Sequence, residues 1–193
     1  MKVLVIQTSN RPDGYTGSLA KAVLDGAVEK AAARSLQLET EWVNLNEYDI
    51  QVCKAHGEKG WGVCRQGEPC VLQDDFETLH KKVIATDALV FASPVYFGDL
   101  SESARTFLDR LRRVEWPLRE NNRVHGKRII GVVCAGGSGR GSVNAIRNLE
   151  NYMSYFSFDN VAYIPVSRQN YPMQLVACKE AGRHLIDVMA QPS

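Results

Sequence analysis

The stretch that decides the fold reads Ala88-Leu89-Val90-Phe91-Ala92-Ser93-Pro94-Val95-Tyr96-Phe97-Gly98. Its opening run, Ala88 to Ala92, is unbroken and apolar, as expected of a strand buried on both faces. Leu100, Ala104, Phe107, Leu108 and Leu111 then recur at helical spacing on one face. Ser93–Gly98 therefore falls at the carboxyl end of a buried strand, where open α/β sheets place their ligands. In that position proline stiffens the backbone, glycine lets a ligand come close, and tyrosine adds an aromatic face. The combination suits a flat heteroaromatic ligand held mainly by main-chain groups.

Working outward, strand-like and helix-like patterns alternate along the chain. Lys2–Thr8 reads as a first strand, and Leu19, Val23, Leu24, Ala27, Val28 and Ala31 mark the helix that follows. Leu38–Leu45 alternates as a second strand and leads into an irregular segment, Asn46–Gln73, rich in glycine and cysteine. A helix over Phe76–Ile84 precedes the third strand, Asp87–Ala92, whose own helix spans Ser101–Arg113. Lys127–Cys134 is the fourth strand, Ser142–Tyr155 a helix, Val161–Val166 the fifth strand, and Leu175–Met189 the closing helix. Five strands alternating with five helices predict an α/β fold, a doubly wound five-stranded parallel sheet in the order 2-1-3-4-5. No repeat, low-complexity tract or linker interrupts it, so residues 1–193 read as one domain.

Length and composition narrow the function classes. The 193 residues are enough for one well-buried domain and short for two. An apolar content of 45% and a charged content of 23% are ordinary for a soluble protein. The formal net charge of +1 gives no electrostatic footprint for nucleic acid or an anionic membrane. Arg105, Arg110, Arg112 and Arg113 cluster locally and read as a solvated helix face or an ion-pairing subunit surface. The longest apolar stretch, Ile129–Ala135, falls far short of the roughly 20 residues that span a bilayer. Val3–Ile6 is too short for a signal-peptide core, so the expected location is the cytoplasm. There the five cysteines, an odd count, would stay thiols or bind metal.

Two further loops carry chemistry. Ser9-Asn10-Arg11-Pro12-Asp13-Gly14-Tyr15-Thr16-Gly17-Ser18 places hydroxyls, a guanidinium and two glycines at the start of a helix. A helix N-terminus with such neighbours binds phosphate readily. Equally, Thr16 or Ser18 would serve as an ordinary helix cap on a surface turn. The segment Gly136-Gly137-Ser138-Gly139-Arg140-Gly141-Ser142 lets backbone pass close to a ligand, or simply turns sharply. It has glycines at P-loop spacing but no lysine before Ser142, and the first strand–helix turn lacks G-x-G-x-x-G. A P-loop ATPase and a dinucleotide-binding Rossmann domain are thereby disfavoured. In the expected strand order the first loop and Ser93–Gly98 flank the switch point, a crevice fit for a ligand with a phosphate and a planar ring.

Here the motifs reach a family. Ser9-x-Arg11-x-x-Gly14-x-Thr16-x-x-Leu19, Ser93-Pro94-Val95-Tyr96-Phe97-Gly98-x-x-Ser101, Phe107-Leu108-Asp109-Arg110 and the glycine-rich Ala135–Gly141 resemble the flavodoxin-like NAD(P)H-dependent FMN reductases. Within them, the branch related to iron–sulfur flavoproteins is most similar. The resemblance covers nearly the whole chain. It implies a flavodoxin-like fold in which Ser9, Arg11, Gly14, Tyr15, Thr16, Gly17 and Ser18 hold the FMN phosphate. Pro94, Val95, Tyr96, Phe97 and Gly98 would contact the isoalloxazine, with Gly136, Gly137, Ser138 and Gly139 on its other side. NAD(P)H would deliver hydride to the flavin, which passes electrons to a small acceptor such as a flavin or quinone. It further implies a homodimer or homotetramer whose neighbouring subunit helps cover the flavin. No side-chain acid or base is needed, so His80, His125 and His184 read as structural or surface residues. Arg140 suits an NADP phosphate or a plain solvent-facing loop.

The cysteine segment holds Cys53, His56, Cys64 and Cys70. The iron–sulfur flavoproteins that the chain resembles carry a compact four-cysteine motif there, followed by an acidic pair like Asp74-Asp75. In this chain His56 replaces one cysteine and Glu58–Gly62 looks like an insertion. A Cys3His set is chemically able to hold zinc or, less commonly, a cluster, but the spacing matches neither a zinc ribbon nor a ferredoxin run. The expectation is therefore no metal site, with a loop of leftover thiols and Trp61 covering a flavin or packing at an interface. Cys134 and Cys178 read as packing residues. The competing functions are an FMN-containing electron carrier, with or without a metal or iron–sulfur site at this loop, and a flavodoxin-fold scaffold without turnover.

Overall fold

A computed structural model describes residues 1–191. Parallel strands β1 (Lys2–Gln7), β2 (Glu39–Asn44) and β3 (Ala88–Tyr96) are joined by a short antiparallel β4 (Asp99–Leu100) and by the parallel β5 (Arg128–Ala135) and β6 (Asp159–Ser167). The order β2-β1-β3-β5-β6, with β4 paired to β3, is the expected doubly wound, flavodoxin-like arrangement plus one short strand. Helices α1 (Tyr15–Ala33), α2 (Phe76–Ile84), α3 (Glu102–Glu115), α4 (Ser142–Tyr155) and α5 (Tyr171–Met189) cover both faces.

The period-2 rule splits the core in two. Leu4, Ile6, Leu89, Phe91, Ile129 and Val133 face α2, α3 and α4, packing on Phe76, Leu79, Phe107, Leu108, Leu149 and Met153. Val3, Val5, Ala88, Val90, Ile130, Val132 and Cys134 face α1 and α5, packing on Leu19, Val23, Cys178 and Leu185. Among the described residues no helix is long and apolar enough to cross a membrane.

One boundary differs informatively. The third strand does not stop at Ala92 but continues through Ser93–Tyr96 before turning back at Phe97-Gly98. Both turn residues have positive φ, 51° and 82°, as a two-residue primed hairpin turn demands. A two-residue return strand is too short to leave a periodic signal, so the sequence alone shows a loop there.

The four-arginine cluster also resolves differently from a solvated face. Arg110 is buried, ion-paired with Asp74, and donates to the Gln51 carbonyl at 3.2 Å. Its guanidinium stands 4.3 Å from the Phe76 ring centroid, a cation–π contact that joins α3 to α2. Arg105 and Arg112 pair with Asp99 and Asp109, and Arg113 turns into the cysteine loop. Nearby, buried Glu115 accepts from His80 Nε2 at 2.5 Å and from the Arg123 backbone N–H at 2.7 Å. His80 is thus structural, and His125 and His184 are exposed.

Candidate functional site

The carboxyl ends of β1, β3 and β5 bring their loops into one crevice. A cavity of about 720 Å³ is lined by Ser9, Arg11, Gly14, Tyr15, Thr16 and Ser18 on one side and by Pro94, Val95, Tyr96, Gly136 and Gly137 on the other. A second cavity of about 530 Å³ continues over Val95–Gly98 and Ala135–Gly141. The two share Val95, Tyr96, Gly136 and Gly137, so they are parts of a single crevice.

The first loop is held from within. Gln7 is buried and accepts from the Ser9 N–H at 2.8 Å while donating to the Ser9 carbonyl at 3.1 Å. The Ser9 hydroxyl accepts from the Arg11 N–H at 3.1 Å, and Gly14 N–H donates to the Arg11 carbonyl at 3.0 Å. No side chain caps α1: its N-cap is Gly14, and the Ser18 hydroxyl donates back to the Gly14 carbonyl at 3.1 Å. The capping reading of Thr16 and Ser18 is thus set aside, because neither accepts from a first-turn N–H. The free N–H groups of that first turn, with the positive end of the helix dipole, are left for an anion. Arg11 has no carboxylate within salt-bridge distance among the described residues, so its charge is uncompensated.

Gly17 stands apart from its neighbours. It lines neither cavity, and a Cβ there would lie 1.7 Å from the Pro12 carbonyl oxygen. Only glycine lets the loop fold this tightly onto the helix.

A chain of hydroxyls ties the first loop to the hairpin. Ser101 Oγ donates to Thr8 Oγ1 at 2.8 Å, and the Ser101 N–H donates to Ser93 Oγ at 3.0 Å. Ser101 also caps α3, accepting from the Ala104 N–H at 3.3 Å. The hairpin tip then meets the glycine loop directly: a Cβ on Gly141, at φ 89°, would fall 2.6 Å from Gly98 Cα. Phe97, Gly98, Ser138 and Gly139 complete the second cavity, and neither a carboxylate nor a histidine lines it. Arg140 lines it too, exposed and free of any carboxylate within salt-bridge distance among the described residues.

Three lining residues escape the sequence reading. Tyr171, at the start of α5, packs on Tyr15 with the rings tilted by 41° and their centroids 4.5 Å apart, and lines the first cavity. No spacing links residues so far apart in sequence, and only the α1–α5 packing joins them. Asp13 lines the same cavity, and so does Cys134, a packing residue whose thiol burial pushes up to about 11. Cys134 therefore presents a neutral sulfhydryl to the crevice.

The cysteine segment lies elsewhere. Its residues line neither crevice cavity, and Trp61 packs on Arg113, Arg65 and Trp116 rather than over the site. Among the described residues no three His, Cys, Asp or Glu side chains are gathered to hold a metal.

Comparison with known proteins agrees with this geometry. The family model for NADPH-dependent FMN reductase matches residues 1–168. The chain is 30% identical over 137 residues to an iron-sulfur flavoprotein of Methanocaldococcus jannaschii, a match spanning 71% of this chain and 65% of that protein, just under two thirds of its length. It is 26% identical over 201 residues to an iron-sulfur flavoprotein of Methanosarcina thermophila, covering 98% of this chain and 95% of that protein. Among solved structures, an NAD(P)H:quinone oxidoreductase from Methanothermobacter marburgensis superposes with a TM-score of 0.72 at 14% identity, covering 96% of both chains. At that identity the likeness shows the shared fold.

Proposed function

The chain belongs to the NADPH-dependent FMN reductase family, and from that premise we propose that it is an FMN-binding NAD(P)H oxidoreductase serving a small electron acceptor. The carrying observation is the single crevice: an uncapped helix N-terminus with an unpaired arginine at one end, and facing backbone loops at the other.

The donor set fits the cofactor. The Ser9, Thr16 and Ser18 hydroxyls, the Arg11 guanidinium and the first-turn N–H groups of α1 would hold the phosphate. Pro94–Gly98 and Gly136–Gly139 would flank the ring with main chain. Held there by these residues, FMN would supply the redox chemistry that takes a hydride from NAD(P)H and hands electrons to an acceptor such as a flavin or quinone. The chain's own part is to bind, orient and exclude water. With no acid or histidine in the ring cavity, main-chain N–H groups there serve as electrostatic partners for negative charge, and no side chain shuttles a proton. Tyr96 accordingly acts as a packing surface.

The reading includes assembly as a homodimer or homotetramer. Phe97 is wholly exposed beside the ring cavity, with Tyr96 and Val143 also exposed, an apolar surface that a second copy would cover.

The test is the visible spectrum of protein purified without added cofactor, recorded before and after NADPH under anaerobic conditions. Flavin bands that bleach on NADPH support the enzyme. Bands that persist point instead to an electron carrier loaded by a protein partner. Protein that takes up no flavin even when FMN is supplied overturns the proposal.

A further inference from the structure

We propose that this chain carries no iron–sulfur cluster, and that its cysteine loop is instead a closed plug locked by Arg113. Given the flavin reading above, FMN is then the protein's sole redox group. Both archaeal relatives are named iron-sulfur flavoproteins, so the inference separates this chain from them.

The donor count comes first. A cubane cluster is normally held by four cysteine thiolates. Of the five cysteines, Cys134 and Cys178 are buried in the core on the α1–α5 side of the sheet. Cys64 and Cys70 pack against the core on the opposite side. The sheet lies between the two groups, so Cys134 and Cys178 cannot complete a set with Cys53, Cys64 and Cys70. The remaining candidate ligand, His56, is exposed.

Space is the second argument. Cys53, His56, Cys64 and Cys70 line a common cavity, but its volume is only about 30 Å³. That admits a water molecule. It is far too small for a cube of irons and sulfides.

Third, the loop is tied closed around Cys53 by bonds that a metal site would have to rearrange. Arg113 Nε–H donates to Cys53 Sγ at 3.3 Å, and the Ala55 N–H donates to the same sulfur at 3.4 Å. Arg113 Nη2 donates to the Gly60 carbonyl at 2.8 Å, while its guanidinium stands 4.5 Å from the Trp61 ring centroid. Arg65 approaches the same ring at 5.4 Å, and Trp116 lies 6.4 Å from it. The bend that delivers Gly60 to Arg113 uses positive φ at Ala55, Gly57, Lys59 and Gly60. Opening this loop around a metal would break the Arg113 bonds and the stacking together.

The experiment measures iron, acid-labile sulfide and zinc in FMN-loaded protein prepared anaerobically, before and after incubation with ferrous iron and sulfide. All three are expected to stay far below stoichiometric. About four irons and four sulfides per chain, or stoichiometric zinc lost in Cys53→Ser, overturns the inference. For the lock itself, Arg113→Ala should raise proteolytic cleavage within residues 57–67 about tenfold, as loss of one cation–π contact and two hydrogen bonds implies. NADPH should reduce the flavin of that variant at an unchanged rate. Cleavage no faster than in the unsubstituted protein would refute the lock. The same metal assay on the protein as purified, without added FMN, needs no turnover, so metal-free protein that fails to bind flavin refutes the function above and leaves this inference standing.

Discussion

Individual residues of the crevice divide by what they can offer. Arg11 offers a charge without a carboxylate partner among the described residues, Ser9, Thr16 and Ser18 offer hydroxyls, and Gly17, behind the lining, lets the Pro12 carbonyl press onto α1 where a side chain would block it. Charged hydrogen bonds contribute about 1.5–3 kcal/mol each when their partner is otherwise unpaired. Arg11→Ala combined with Thr16→Ala should therefore weaken FMN binding about 100-fold, measured by quenching of flavin fluorescence. An unchanged dissociation constant would remove the phosphate assignment. Legibility at this scale was high, because hydroxyl and glycine types at a strand–helix junction announce themselves locally. Cys134 and Tyr171 did not, since each faces the crevice only through distant packing.

Elements decide how the crevice is shaped. The β3–β4 hairpin projects Tyr96 and Phe97 from the sheet and presses Gly98 against Gly141. Gly98→Val should be strained by its positive φ, not by crowding, since no atom beyond its own chain neighbours lies within 4 Å of its Cβ position. The expected cost is about 1–3 kcal/mol, seen as a lower denaturation midpoint together with weaker FMN binding. A second tie anchors both ends of the cysteine loop to α3, because Arg110 pairs with Asp74 beyond Cys70 and donates to the Gln51 carbonyl ahead of Cys53. Arg110→Met leaves a buried carboxylate without its cation and should cost about 3–5 kcal/mol. Adding Asp74→Leu should recover part of that loss in a double-mutant cycle. Full additivity would mean the pair is not coupled.

For the whole molecule, two buried carboxylates set the acid limit of stability. Burial works against ionisation of Glu115, but the His80 ring, the Arg123 N–H and its guanidinium outweigh it and hold the carboxyl below its ordinary range. Asp74 is lowered likewise, with Arg110 and the N–H groups of Gln51 and Phe76 overcoming burial. Depressed folded-state values mean that the unfolded chain binds more protons as the pH drops. Their stabilisation is complete above the unfolded values, near about 4, and is lost as the pH falls through the folded ones. Urea unfolding of the wild type should weaken steeply below that pH. Glu115→Gln should be less stable at neutral pH and show a shallower decline in acid, whereas an identical pH profile would contradict the assignment.

The order of the sheet, the helices behind it and the strand-end loops that line the crevice were determined by the sequence itself. Buried strands and amphipathic helices write their periodicity into neighbouring residues, and the loops between them carry glycine and hydroxyl chemistry in place. What only the tertiary structure decided concerns residues whose surroundings come from elsewhere in the chain. Arg110 became a core cation through Asp74 and Phe76, and Arg113 became the lock of a cysteine loop that sequence left open. The continuation of β3 into a hairpin depends on Asp99 and Leu100 pairing back onto it. Burial and pairing depend on what stands opposite a side chain, and that is settled only when distant segments pack.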